Sequence, residues 1–281
     1  MTTLPPFMIE DAVARALAED LGDAGDVTSA ACIPENAMSA AVIAARTSGV
    51  IAGVDLARAA FRLVDADIEL RVENGDGARV NDGAIVMHVE GPARGVLTAE
   101  RVALNFLGRL SGVASETARY VDAVAGTHAK IACTRKTTPM LRAFEKYAVR
   151  CGGGSNHRFG LYDAVMIKDN HIAAAGGVAD AMKAAKAAVG HMTSIEIEVD
   201  SLEQMEEALE HGARIILLDN MSLDDLRLAV ALNKGRAILE ASGGVTLKTV
   251  RAIAETGVDV ISSGAITHSA PCLDLGLDFL D

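Results

Sequence analysis

Basic side chains interleaved with glycine are concentrated between Thr134 and His171, in the run TRKTTPMLRAFEKYAVRCGGGSNHRFGLYDAVMIKDNH. Arg135, Lys136, Arg142, Lys146, Arg150, Arg158 and Lys168 set seven positive charges against Glu145, Asp163 and Asp169, a local balance of +4 in a chain whose total is −12. The rest of the chain therefore holds −16. A charge cluster can be a solvated basic face, but these charges flank the ends of apolar runs and a Gly152-Gly153-Gly154 stretch. Arginine forks bind carboxylates and phosphates through paired hydrogen bonds, lysine supplies a mobile point charge, and consecutive glycine amides can approach an anion closely. The expected ligand is a polyanionic small molecule.

Glu198 and Asp219 close two further apolar runs. An ionised carboxylate there is costly unless it pairs or binds a cation. Metal-assisted phosphate chemistry with Mg²⁺ fits such a pair, because that ion takes a few carboxylates plus substrate oxygens, without the Cys/His clustering of zinc sites. An ion pair with the basic residues is the alternative reading. Strict alternation puts Glu196, Glu198 and Asp200 on one strand face, so periodicity does not choose among them. Two loops, Ser242-Gly243-Gly244 and Ser263-Gly264, follow apolar runs, the first leading toward a helix, and are expected to hold a terminal phosphate with backbone amides. His157, beside Arg158, is expected to work in the site, whereas His268 is open between a functional and a structural role. Cys133 and Cys151 are expected to pack as small hydrophobes.

Positioning these groups requires a scaffold. Ile9, Val13 and Leu17 recur at four-residue spacing up to Gly22, an amphipathic helix with a glycine stop. Ile68, Leu70 and Val72, then Ile85, Met87 and Val89, alternate with polar residues and read as half-buried antiparallel strands. Thr98 is expected to cap a helix lined by Val102, Phe106 and Leu110, with a domain boundary close to it. Six short apolar runs follow: 130–133, 164–167, 194–199, 214–218, 237–239 and 258–261. Helix-like segments at 178–189, 202–209 and 247–255 separate several of them. Repeated β-then-α units imply a parallel sheet, which can be an open doubly wound sheet or a closed barrel. Nearly every run ends in functional groups, namely Thr134-Arg135-Lys136, Lys168, Glu198, Asp219, Glu240 with Ser242, and Ser263. Barrels assemble their active sites at the carboxyl ends of several strands, with phosphate often held after the last two, so an α/β barrel with about six visible strands is preferred.

The 281 residues suggest roughly two domains at about 150 residues each. Half are hydrophobic and only six are proline, which excludes extensive disorder. A charge of −12 repels nucleic acid and anionic membranes, so neither is an expected partner. Four cysteines without CxxC spacing suit reduced thiols in the cytoplasm, and the opening residues lack a basic stretch leading into an apolar core, so no secretory leader is expected. No apolar run approaches the ~20 residues a bilayer requires.

At these residues the chain resembles the quinolinate phosphoribosyltransferase family. The likeness runs nearly end to end, through Glu19-Asp20, GDVT at 25–28, TAER at 98–101, TRKTTP, EKYAVRCGGGSNHR, IKDNHI, EVDSLEQ, LLDN, ASGG and SGAITHS. Two departures are Met140, where the family usually has glycine, and Ser263, where a small apolar residue is commoner. The resemblance implies a mixed α+β N-terminal domain over residues 1–112, joined by a returning tail at 275–281, and an incomplete α/β barrel over 113–274. It implies transfer of a phosphoribosyl group from phosphoribosyl pyrophosphate to quinolinate with loss of CO₂, giving nicotinate mononucleotide in NAD biosynthesis. Substrate would be held by Thr134, Arg135, His157, Arg158 and Lys168, with Arg101 reaching in from a neighbouring subunit of a homodimer or a hexamer. Lys136, Glu198 and Asp219 would be catalytic, with Glu198 and Asp219 taking Mg²⁺. Ser242, Gly243, Gly244, Ser263, Gly264 and His268 would surround the 5-phosphate. Rival readings are a related phosphoribosyltransferase, including a paralogous group associated with molybdate transport, and a non-catalytic sensor of a phosphorylated anion.

Overall fold

The computed structural model describes residues 3–280. Ile9, Val13 and Leu17 are buried along one face of α1 (Pro6–Leu21), which starts on a proline and ends at Gly22 with φ 50°. Asp26 then caps α2 (Val27–Cys32), its carboxylate accepting the Ser29 N–H at 2.9 Å. β1 (Met38–Ala45), β2 (Gly49–Val50), α3 (Val54–Val64), β3 (Glu69–Val72), β4 (Arg79–Val80) and β5 (Ile85–Pro92) follow. β5 pairs antiparallel with β1 and with β3, placing Val89 opposite both Ala41 and Leu70.

The next helix, α4 (Ala93–Ala123), begins five residues before Thr98. Thr98 is therefore not its cap. The Thr98 hydroxyl instead donates to Asp26 Oδ2 at 3.1 Å, and the first turn of α4 is pressed onto its neighbours at Gly95, where a Cβ would stand 3.0 Å from Asp65 Cβ.

The second half alternates strand and helix: β6 (Lys130–Ala132), α5 (Arg142–Cys151), β7 (Val165–Ile167), α6 (Asp169–Ala175), α7 (Val178–Ala188), β8 (Ile195–Val199), α8 (Leu202–Glu210), β9 (Ile215–Asp219), α9 (Leu223–Asn233), β10 (Ile238–Ser242), α10 (Val250–Ala254), β11 (Val260–Ser262) and α11 (Ala265–His268). Its six strands are parallel, in the order β6-β11-β10-β9-β8-β7. That order runs steadily around the sheet with no reversal, so the doubly wound alternative, which needs a switch point, is excluded. Among the described residues the free edge of β6 is met only by an isolated parallel bridge between Ala132 and Ser155. The Ser155 N–H donates to Ile131 O at 2.8 Å and the Cys133 N–H to Ser155 O at 3.1 Å. The barrel is incomplete, and this short segment stands where a further strand would run.

The chain ends with β12 (Leu275–Phe279), which pairs antiparallel with β1, giving a four-stranded sheet ordered β12-β1-β5-β3. By contacts the chain forms two compact units. One comprises the chain up to Ala118, Phe144–Gly153 and the chain from Ala270 on; the other comprises Arg119–Ala143 and Gly154–Ser269. None of the four cysteines is in a disulfide, and Cys133 and Cys151 are buried as expected of small hydrophobes.

Met140 has φ 66°, one of three non-glycine residues in the left-handed region among the described residues, and its side chain is exposed. A side chain there costs roughly 1–2 kcal/mol, partly offset by the extra chain entropy a glycine would lose. The family's usual glycine suits this backbone. Met140→Gly should therefore raise stability by about 0.5–1 kcal/mol, or roughly 1–3 °C in Tm for a chain of this size; a fall in Tm on thermal unfolding would contradict it.

Candidate active site

A cavity of about 740 Å³ opens at the carboxyl ends of the parallel strands. Immediately after β6 come Thr134, Arg135 and Lys136, all lining it. The Thr134 hydroxyl accepts the Lys136 N–H at 3.0 Å, and Thr267 donates its hydroxyl to Lys136 O at 2.7 Å, so the loop is fixed from both sides. Gly264 leaves room for the lysine stem: a Cβ there would lie 2.9 Å from Lys136 Cδ and 3.0 Å from His268 Cδ2. Lys136 and His268 thus share one corner of the cavity.

Arg135 and Arg158 supply the guanidinium groups. Burial, and then the positive charge of Arg135, push Arg158 below the usual arginine range. The buried Nε of each donates to no protein acceptor. A buried donor left unmatched costs about 1–3 kcal/mol, more when charged, and two like-charged guanidinium groups lining one cavity suit an anion with several oxygens.

Beneath them lies a group that periodicity left unresolved. His157 Nδ1 accepts the Arg158 N–H at 2.7 Å, which leaves the ring proton on Nε2, and Nε2 faces Glu196 Oε2 at 2.8 Å and Glu240 Oε1 at 3.7 Å. Glu196 and Glu240 are each 5% exposed. Glu240 is pushed up to about 7, first by burial and then by the charge of Glu196, against the opposing effects of His157 and a hydrogen bond from Ser262. Of the three carboxylates on one face, Glu196 is at this floor, Glu198 lines the cavity at the strand end, and Asp200 lies past β8 and does not line it.

The expected ion-pair alternative is realised at Glu198, whose Oε2 accepts Lys168 Nζ. Asp219 accepts the Asn220 amide N–H at 2.8 Å through Oδ2. Both carboxylates end neighbouring strands and present hard oxygens to the cavity, which fits a magnesium ion shared with substrate oxygens.

Ser242, Gly243 and Gly244 line the same cavity, with Ser263, Gly264 and His268. Gly243 has φ 95°, and a Cβ on it would fall 2.1 Å from Asn220 Oδ1, so no other residue fits there without moving Asn220. The first loop does not run directly into a helix over 247–255: α10 is a single short turn from Val250. Ser263 is buried; its hydroxyl donates to Val245 O at 3.4 Å and accepts the Ala265 N–H at 3.3 Å, tying one loop to the other.

The chain matches the family model "Quinolinate phosphoribosyl transferase, N-terminal domain" over residues 26–111 and "Quinolinate phosphoribosyl transferase, C-terminal domain" over 113–278. It belongs to the quinolinate phosphoribosyltransferase family. The nicotinate-nucleotide pyrophosphorylase (carboxylating) of Mycobacterium leprae is 46% identical over 275 residues, covering 95% of this chain and 96% of that protein. The crystal structure of NadC from Streptococcus pyogenes is similar with a TM-score of 0.95 at 44% identity, each chain covered completely. The nicotinate-nucleotide pyrophosphorylase of Francisella tularensis also gives a TM-score of 0.95, at 38% identity over 99% of this chain and 98% of that one.

Every site residue expected from the sequence lines the cavity except Arg101, which is exposed on α4 in the other unit with Glu100 3.9 Å away. The Gly152-Gly153-Gly154 run does not line it either. A Cβ on Gly152 would lie 2.3 Å from Ala114 O, so that glycine permits close packing on α4. Lys146, counted in the basic run, is fully buried on α5 in the first unit. Glu240, named among the strand-end groups without a role, also lines the cavity, as do Asn220 and Ser262, with Met166, Leu217, Val245 and Ala265 as apolar lining. Glu240 was visible as the acid before Ser242, and Asn220 as the asparagine after Asp219, but neither spacing announces a role.

Proposed function

We propose that this chain transfers the phosphoribosyl group of phosphoribosyl pyrophosphate to quinolinate and removes one carboxylate as CO₂, yielding nicotinate mononucleotide and pyrophosphate for NAD biosynthesis. The observation behind this reading is the pair Arg135 and Arg158, two guanidinium groups with unmatched buried donors in one cavity with Lys136, Lys168, Glu198 and Asp219. A dicarboxylate satisfies both forks at once. The relatives named above support it, the Mycobacterium leprae protein as a carboxylating nicotinate-nucleotide pyrophosphorylase and the Francisella tularensis protein as a nicotinate-nucleotide pyrophosphorylase.

In this reading Arg135, Arg158 and Lys168 orient the dianion, with Thr134 and His157 at its edge, so that the ring nitrogen faces the anomeric carbon. Its lone pair forms the new C–N bond as the bond to pyrophosphate breaks, the electron pair leaving with pyrophosphate. Lys136 meets the developing phosphate charge, and Glu198 and Asp219 lie where positive charge grows on the sugar. A magnesium ion held by Glu198 and Asp219 would neutralise the leaving pyrophosphate. Once the ring nitrogen is quaternary, the bond to the adjacent carboxylate breaks with its electron pair left on the ring, CO₂ departs, and that carbon takes a proton from water. Ser242, Gly243, Gly244, Ser263, Gly264 and His268 surround the 5-phosphate.

The deciding experiment is an assay of the purified protein with Mg²⁺, phosphoribosyl pyrophosphate and quinolinate, following mononucleotide and CO₂, with nicotinate as a parallel substrate. Equal amounts of mononucleotide and CO₂ from quinolinate alone support the carboxylating transfer. Ligand binding without product would sink it in favour of a sensor.

We further propose a cytoplasmic enzyme, in keeping with four cysteines that form no disulfide. Arg101 is proposed to enter the site of a second copy in a homodimer or a hexamer. Arg101→Ala should be inactive alone, and mixing it with inactive Arg135→Ala should restore activity to a fraction of the sites. No recovery after demonstrated subunit exchange would count against a shared site.

A further inference from the structure

Arg142 is the first residue of α5, where the positive end of the helix dipole disfavours a cation. Helix formation does not explain an arginine there. Each of its three guanidinium nitrogens is engaged elsewhere: Nε donates to Thr137 Oγ1 at 3.0 Å, Nη2 to Arg135 O at 3.4 Å and Nη1 to Phe159 O at 3.0 Å. It thus binds the backbone of Arg135 on one side and that of the residue following Arg158 on the other.

The two loops it joins are each closed upon themselves. In the first, the Thr137 N–H donates to Arg135 O at 3.0 Å. In the second, Asp163 accepts the Phe159 N–H at 2.7 Å and the Gly160 N–H at 2.9 Å. Two internally fixed loops linked by one planar fork move as one piece. The opposite end of the second segment is fixed separately, where Cys133 Sγ donates to Asn156 Oδ1 at 3.3 Å.

We infer that Arg142 is a positioning residue that sets the separation of the Arg135 and Arg158 guanidinium groups, and so the preference for two carboxylates on adjacent ring carbons. The inference rests on the proposed function, since it concerns the substrate that those two arginines receive. Arg142 itself does not line the cavity. Its loss therefore removes no contacting group but frees the spacing of the two guanidinium groups, which penalises the dicarboxylate, whereas Lys136 stays held through its own carbonyl by Thr267 and its N–H by Thr134, so the phosphoribosyl side changes little.

The test is steady-state kinetics of the wild type, Arg142→Ala and Arg142→Lys with both substrates varied, alongside thermal unfolding. The expected result is a rise of about tenfold or more in KM for quinolinate, with KM for phosphoribosyl pyrophosphate changed less than about twofold. Arg142→Lys should resemble Arg142→Ala, because a point charge cannot replace a planar fork that bridges three acceptors. Equal rises in both KM values, or an unchanged KM for quinolinate, would overturn the assignment. If Arg142→Ala fails to fold, Thr137→Val removes one acceptor and should still raise KM for quinolinate about two- to threefold; no change would overturn it as well. An inactive wild type would overturn the function itself, whereas an active wild type with indifferent variants would overturn only the role of Arg142.

Discussion

Replacing Arg135 with alanine should lower kcat/KM for quinolinate by roughly 10²–10³-fold, the scale expected when one partner of a desolvated, hydrogen-bonded charge pair is removed. Melting should stay within a few degrees of the wild type. Two observations argue that the side chain serves a ligand and not the fold: its buried Nε has no protein acceptor, and its charge disfavours the charged form of Arg158. Its removal deletes an unmatched donor and relieves a like-charge contact, so folding loses little. Binding of phosphoribosyl pyrophosphate, read by calorimetry, should survive. Arg135→Lys should lie between, since it keeps the charge but not the fork. An unchanged kcat/KM would remove Arg135 from the site, and a collapse of Tm would assign it to the fold.

The second large effect is on stability. Glu240 stays protonated in the folded state up to about 7, chiefly because it is buried and next to Glu196. In the unfolded chain it ionises near the ordinary glutamate value of about 4.3. Between those two points the folded state binds more protons than the unfolded one, so stability falls as pH rises, and the loss persists above pH 7. At 1.36 kcal/mol per unit the loss is on the order of 3–4 kcal/mol. Glu240→Gln resembles the protonated acid and cannot ionise. Its unfolding free energy relative to the wild type should therefore rise by about that amount between pH 4.5 and pH 8, measured by urea unfolding across the range. A difference that does not vary with pH would show that Glu240 ionises in the folded protein as freely as in the unfolded one.

Much of this architecture is legible in the residues. Short apolar runs that each end in Arg, Lys, Glu, Asp or Ser-Gly identify a barrel and the face at which its chemistry collects, because strand direction fixes which end of every run is the same end. What alternation does not encode is depth. Glu196, Glu198 and Asp200 share a strand face, yet at about 3.3 Å of rise per residue they sit at successive levels, which is why the first meets His157, the second Lys168 and the third lies past β8. The start of α4 was illegible for a different reason. Thr98 reads as a cap, but its hydroxyl is turned to Asp26, and the helix starts earlier, through Gly95, a glycine that the approach of Asp65 and Ile68 demands. Alanine-rich β1 has the composition of a helix and becomes a strand because β5 and β12 flank it. Arg142 hid in plain view: it counted only as one more charge in a basic run, and its three acceptors are backbone and hydroxyl groups whose arrangement exists only after folding.

The bridge at Ser155 gives the barrel wall an unusual seam. Two and three residues beyond it come His157 and Arg158, so the stretch that fills the gap beside β6 is also the stretch that delivers two of the cavity's basic side chains. Opening the seam and dismantling the site are then one event. A dicarboxylate bound by Arg158 acts as a rivet on the wall, and at a hundredfold excess over its Kd it would add about 2.7 kcal/mol against that opening. The amides of Cys133 and Ser155, which hold the seam, would exchange with solvent more slowly in proportion to ligand occupancy.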